Sequence, residues 1–141
     1  MEVITKSAQE TEKLGQKLAG SLKEDRVVAL YGELGSGKTT FVKGLAKGLG
    51  IKDRIISPTF VFIRPYTLIA TLSTLYHVDL YRIEKADEVK GLGLEEIFAD
   101  KKAIVVIEWA EKIKKILPKR RIDIYFDYLA ENERKIIIKG E

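Results

Sequence analysis

The sequence predicts an α/β fold in which helices cover a mainly parallel sheet, and three observations predict it. A five-residue apolar run, Val27–Tyr31, leads through a glycine-rich segment into a helical pattern. A second apolar run, Ala103–Ile107, is bounded by charged residues on both sides. The tail of the chain alternates apolar and polar residues. Strand–loop–helix followed by further strands is the order of elements in that class. The 141 residues fit one domain spanning the chain and leave no room for two ordinary ones.

Taken in order, Ser7-Ala-Gln-Glu10 reads as a capping box that opens a helix, the Ser hydroxyl and Glu carboxylate satisfying its first backbone donors. Leu14, Leu18 and Leu22 give that helix an apolar face to about residue 23. Arg26–Tyr31 is a buried strand. Thr39 to Gly50 is a second helix, with Phe41, Leu45 and Leu49 on one face and Gly50 as its stop. Residues 59–83, rich in Thr, Tyr, Phe, Val and Ile, make two extended pieces around a turn near Ala70–Ser73. Short helical pieces follow at 85–90 and 94–99, separated by Gly91 and Gly93. After the strand Ala103–Ile107, a short helix over Ala110–Leu117 turns Ile113, Ile116 and Leu117 inward and ends at Pro118. Two closing strands, Ile122–Tyr128 and Lys135–Lys139, are joined by the polar turn Glu131-Asn132-Glu133.

Composition excludes several classes. Without cysteine there is no disulfide scaffold, thiolate metal site or cysteine nucleophile, and the one histidine, His77, cannot form a two-histidine zinc motif. The longest apolar runs are five residues, against about 20 needed to cross a bilayer. MEVITKSAQE lacks the apolar region of a signal peptide. The expectation is a cytoplasmic protein with no membrane association.

Gly32-Glu-Leu-Gly-Ser-Gly-Lys-Thr39 matches G-x-x-x-x-G-K-[ST] without a mismatch, in the strand–loop–helix setting that the pattern requires. Glycines let the backbone turn its N–H groups onto one anion. Lys38 brings charge to the β/γ-phosphates, the Thr39 hydroxyl ligates Mg²⁺, and the helix that follows adds its partial positive charge. Such a loop needs a carboxylate from a neighbouring strand, to hold the metal or polarise water. Glu108, ending the run Ala103–Ile107, has that form, and Asp79 in Tyr76-His-Val-Asp-Leu-Tyr-Arg82 is the second candidate. In an extended strand His77, Asp79 and Tyr81 share one face and Val78 and Leu80 the other. His77 reads as a hydrogen-bonded strand residue rather than a base. Trp109 either stacks on a ligand or packs in the core, and Thr59 in Ser57-Pro58-Thr59-Phe60 either senses the terminal phosphate or follows a simple turn.

This ordered set, GELGSGKTTF, SPTF, PYTL, YHVDLYR, GLEEIF and VVIEWAE, resembles a family of small bacterial ATPases, TsaE or YjeE, required for threonylcarbamoyladenosine synthesis on tRNA. The likeness covers nearly the whole chain. It implies a Rossmann-like P-loop NTPase sheet, mainly parallel with antiparallel strands and with helices on both faces. It implies a Mg²⁺-dependent ATPase, slow alone, that binds ATP or ADP and assists partner subunits of the TsaB and TsaD type. Those partners carry the transfer to the adenosine beside the anticodon, with tRNA engaged directly or only through them. By position, the phosphate loop falls on Gly35, Ser36, Gly37, Lys38, Thr39 and Thr40. The two essential acids fall on Asp79 and Glu108, the aromatic on Trp109 and the switch-like threonine on Thr59. Thr11 matches a threonine near the nucleotide. Arg82 or a residue from outside the chain is the candidate for the positive charge that meets the transferred phosphoryl group. Ala110 stands where many members have proline.

Rival classes are a nucleotide-gated adaptor without turnover of its own, and a small P-loop kinase, although no lid-like insert carries an arginine cluster. A GTPase would need N-K-x-D, and the sole asparagine, Asn132, precedes Glu133. The net charge of +4 is no argument for nucleic acid. Residues 112–121 hold six cations and no acid, leaving the rest of the chain at −2. That stretch is either a solvated helix face or a docking surface for an acidic partner or tRNA phosphates.

Overall fold

The structure, a computed structural model, describes residues 1–22, 26–56 and 62–140. One seven-stranded sheet is built from β1 (Glu2–Thr5), β2 (Val27–Tyr31), β3 (Ile63–Leu68), β4 (Ser73–Asp79), β5 (Ala103–Glu108), β6 (Ile122–Ala130) and β7 (Glu133–Gly140), in the order β1-β7-β6-β2-β5-β4-β3. The centre is parallel: β2 lies between β5 and β6, and β4 pairs with the far side of β5. Both flanks are antiparallel, β3 on β4 at one edge and β6, β7 and β1 at the other. All five residues of β2 and all six of β5 are buried, which explains why their sequences are unbroken apolar runs rather than alternating ones.

Each face of the sheet has its own core. On one, α1 (Ala8–Ala19) and α2 (Lys38–Gly48) cover Val28, Leu30, Leu75, Val106 and Ile124. On the other, α3 (Leu94–Ala99) and the 3₁₀ turns Ala86–Val89 and Ala110–Ile116 cover Ala29, Val78, Val105 and Ile107. The expected α/β class, parallel in its centre with helices on both faces, is what forms.

Several elements differ in detail from the sequence expectation. β1 is an added strand: its four residues pair with β7, and only Thr5 among them is buried, so four residues carry almost no periodic signal. Ser7 caps α1 as expected, its Oγ accepting from the Glu10 N–H, but the buried line of that helix is Thr11, Gly15 and Ala19. Leu14, Leu18 and Leu22 are only partly buried beside it. The small residues face α2 because the two helices almost touch. A Cβ on Gly15 would lie 2.3 Å from the Phe41 carbonyl oxygen, and one on Gly44 would lie 1.8 Å from that of Glu12. The α-helix expected over Ala110–Leu117 is instead 3₁₀, broken at Ile113 (φ −131°). Burial of Ala110 and Ile113 against the sheet, with Ile113 outside helical φ/ψ, sets its path. The closing strands are longer than expected, so their turn shrinks to Glu131-Asn132.

The carboxyl ends of β2, β5 and β4 thus lie side by side, where ligands of open α/β sheets bind. Among the described residues no helix is long and apolar enough to cross a membrane. The helix contact gives a direct prediction. Gly44→Ala places a methyl group inside van der Waals contact with backbone and should lower unfolding stability in urea by about 2–3 kcal/mol. An unchanged midpoint would mean that α1 and α2 are not in this contact.

Candidate active site

β2 ends at Tyr31 because Gly32 begins a turn that no strand continues, and the chain re-enters regular structure at Lys38. Gly37 precedes α2 in the left-handed region (φ 102°), which a side-chain-bearing residue adopts only with strain. This places the loop and the first turn of α2 along one cavity of about 410 Å³, a volume typical of small-molecule sites. Of the residues named from the sequence, Gly35, Ser36, Gly37, Lys38, Thr39, Thr40, Asp79, Arg82, Glu108 and Trp109 all line it. Thr11 lies just outside, in an adjoining recess. Thr59 and the SPTF segment fall outside the described residues.

Lys38 is 4% exposed, and its ammonium donates to the Gly32 carbonyl, to the Glu33 carbonyl at 2.9 Å and to Ser36 Oγ at 3.4 Å. The Trp109 ring covers it, with Nζ 4.2 Å from the ring centroid. Trp109 can do so because it leaves β5 in a left-handed conformation (φ 62°), which turns the indole back over the loop. Burial pushes the Lys38 pKa below its ordinary value, opposed by the negative charges of Glu108, Glu111, Asp79 and Glu33. The ammonium therefore gains from any anion that enters the cavity.

Glu108 is the most constrained group of the site. It is 3% exposed and held at both oxygens: Oε1 accepts from Thr39 Oγ1 at 2.9 Å, and Oε2 meets His77 Nε2 at 2.6 Å. His77 is fully buried. An ionised carboxylate only accepts, so Nε2 carries the proton, and Nδ1 is buried without a hydrogen-bond partner among the described residues. The arrangement follows from the sheet register, which sets Asp79 opposite Glu108 and His77 opposite Val106 on the same face. Asp79 is half-buried, and its Oδ1 accepts the Tyr81 N–H at 3.0 Å, closing the turn after β4. Tyr81 in turn lies 5.4 Å, centroid to centroid, from Trp109.

The donor set fits a hard divalent cation. Two cis ligands of an octahedral Mg²⁺ at about 2.1 Å lie about 3 Å apart, and the Thr39 and Glu108 oxygens are 2.9 Å apart. Both groups offer oxygen donors, and a bound ion would complete its shell with phosphate and water, as is usual for Mg²⁺. Sequence reasoning missed Arg134, which enters the same cavity from β7. No spacing in the sequence signals it, because only the pairing of β7 with β6 brings it to the loop. The basic stretch is partly spent on structure: Lys112 donates to the Tyr81 and Ile83 carbonyls, and Arg121 pairs with Asp123 at 2.8 Å.

A parallel centre, a glycine-rich loop running into a buried helix start, and a carboxylate from the next strand touching the threonine of that helix together define a P-loop fold. The family described as threonylcarbamoyl adenosine biosynthesis protein TsaE matches residues 5–136. The chain belongs to the TsaE family. A relative from Treponema pallidum, named tRNA threonylcarbamoyladenosine biosynthesis protein TsaE, is 38% identical over 138 residues, covering 98% of this chain and 99% of its own. One from Bacillus subtilis with the same name is 40% identical over 132 residues, covering 94% and 80%. The crystal structure of Bacillus subtilis YdiB superposes with a TM-score of 0.81 at 35% identity, covering 99% of this chain and 84% of that one.

The buried pair at the centre of the site sets a prediction. His77→Ala leaves one Glu108 oxygen buried without its donor and opens a cavity. It should cost about 2–4 kcal/mol in urea unfolding. His77→Gln, whose amide can still donate, should recover part of that loss. Equal stability of His77→Ala and the parent would contradict the pairing.

Proposed function

We propose that the chain is the ATP-binding and ATP-hydrolysing component of tRNA threonylcarbamoyladenosine synthesis, acting with partner subunits that carry the transfer chemistry. The observation that carries the reading is the contact of the buried Glu108 carboxylate with Thr39 at the mouth of the phosphate loop. Names of relatives at 38% and 40% identity support the pathway, and the chemistry of the loop supports the nucleotide.

The triphosphate would be held by the loop residues Gly35–Thr40, with Lys38 and Thr39 as the residues that would meet its terminal phosphates. Lys38 exchanges its contacts with the loop carbonyls for phosphate oxygens, and the Trp109 ring covering the ammonium keeps that charge away from water. Thr39 and Glu108 are the residues that would hold Mg²⁺, which neutralises charge developing on the phosphoryl group. His77 fixes the orientation of the Glu108 carboxylate, so its other oxygen stays on Thr39. Asp79, at the same sheet level one strand over, is placed to orient water at the open side of the cavity. Arg82 lines the same side and is the intrachain candidate for the cation facing the transferred group. A slow rate alone, accelerated when partner surface encloses the phosphates and excludes water, is the behaviour this reading expects.

Steady-state phosphate release, measured on the chain alone and with the threonylcarbamoyl-transfer partners and tRNA, tests the proposal. Glu108→Ala should keep nucleotide binding and lose turnover by about a hundredfold or more, whereas Lys38→Ala should weaken both. Parent-like turnover in Glu108→Ala removes that residue from the chemistry. Background release in the complete mixture would favour a nucleotide-gated adaptor instead.

A further inference from the structure

The turn after β4 and the turn after β5 form one wall of the cavity, and a side chain outside the cavity ties them together. Tyr81 and Arg82 come from the first, Glu108 and Trp109 open the second, and all four line the space. Lys112 is not among the lining residues. It belongs to the 3₁₀ segment Ala110–Ile116 and is half-buried. Its ammonium donates to the carbonyls of Tyr81 at 2.5 Å and of Ile83 at 2.8 Å, the two residues that flank Arg82. The same Nζ lies 5.5 Å from the centroid of the Trp109 ring and 5.8 Å from that of Tyr81, within cation–π range. The Lys112 backbone N–H donates to the Trp109 carbonyl at 3.2 Å. One residue thus holds the peptides on either side of Arg82 together with the main chain and ring of Trp109.

Each hold falls where burial does not already fix the chain. Leu80 and Ile83 are buried and root the first turn, which closes through the Ile83 N–H on the Leu80 carbonyl at 3.0 Å. Between them Tyr81 and Arg82 are exposed, so packing fixes neither. Trp109 keeps a left-handed conformation (φ 62°), which a residue other than glycine holds only where its surroundings impose it. Lys38 shares the Trp109 ring, but in the proposed reaction that ammonium turns to phosphate, which leaves Lys112 as the cation that stays. On the reading of this cavity as an ATPase site, we infer that Lys112 is a positioning residue for hydrolysis. It acts through the Tyr81 and Ile83 carbonyls and the Trp109 ring, which keep Arg82 at the cavity wall and the indole over the phosphate loop. It meets neither nucleotide nor metal. Its loss therefore lowers turnover and leaves nucleotide affinity in place, because the loop, Lys38 and Thr39 are untouched.

Steady-state phosphate release and calorimetric titration with ATP and Mg²⁺, on the full chain, test this. The proteins are the parent, Lys112→Met, Lys112→Arg and Lys114→Met. Lys112→Met should lower kcat about tenfold, with KM and the Kd for ATP within about twofold of the parent. Lys112→Arg, which can donate to both carbonyls, should recover most of the rate. Lys114→Met removes the same charge from an exposed neighbour and should match the parent. Trp109 is the only tryptophan, so its fluorescence reads the hold directly. In Lys112→Met its emission should shift to the red and its quenching by acrylamide should rise, and in Lys112→Arg neither should change. If Lys112→Met fails to fold, Lys112→Gln, too short to reach both carbonyls, is read in its place. Parent-like kcat and fluorescence in Lys112→Met, an equal loss in Lys114→Met, or no recovery in Lys112→Arg would overturn the role of Lys112 and leave the ATPase reading standing. A parent that releases no phosphate even with the transfer partners and tRNA would overturn that reading and the role together.

Discussion

A carboxylate buried at the end of a central strand is the constraint on which the rest of this structure turns. An isolated charge in that position would cost several kcal/mol of desolvation, and Glu108 avoids most of that through two partners, His77 from β4 and Thr39 from α2. Both partners must arrive at fixed places. The β4–β5 register is the one that sets His77 and Asp79 on the face of Glu108, since a one-residue slip would turn both to the opposite core. The first turn of α2 must stand directly above the ends of β2 and β5. The position of the phosphate loop is then a consequence, because Thr39 and Lys38 are consecutive residues of that turn.

Placing α2 so accurately is a packing problem, and α1 solves it. Gly15 and Gly44 let the two helices approach until backbone meets backbone, so α2 is clamped between the sheet and α1. The clamp also brings Thr11 next to the loop, its hydroxyl tied to Thr5 of β1 at 2.7 Å. The antiparallel flank adds the remaining wall: β7 lies between β6 and β1, and its first residues carry Arg134 to the side of the loop away from Glu108. The site thus has two ends built by different parts of the fold. Parallel strands β4 and β5 supply the acids, and the antiparallel flank supplies the cation and the recess.

Much of the first end was legible in the sequence. The loop pattern is local, and the acids could be placed from strand ends and from alternation in Tyr76–Arg82, including the shared face of His77 and Asp79. What alternation could not supply was the partner of His77, because that depends on register with a strand about thirty residues away. The second end was not legible. Arg134 belongs to no motif and reaches the loop only through sheet pairing, and β1 is too short for its pattern to register. On α1 the leucine spacing drew attention to the partly buried face, while the small residues that set the helix contact carry no hydrophobic signal. The 3₁₀ path after Trp109 was hidden for a related reason: burial of Ala110 and Ile113 overrides a helical pattern of only eight residues.

The central claim is that Thr39 and Glu108 form the metal edge of a nucleotide site. Anomalous diffraction from Mn²⁺ in crystals grown with nucleotide measures this most directly. The account predicts a single nucleotide-dependent peak about 2.1 Å from Thr39 Oγ1, facing the Glu108 carboxylate directly or through one water. A peak on Asp79 remote from both residues, or none that depends on nucleotide, would contradict it.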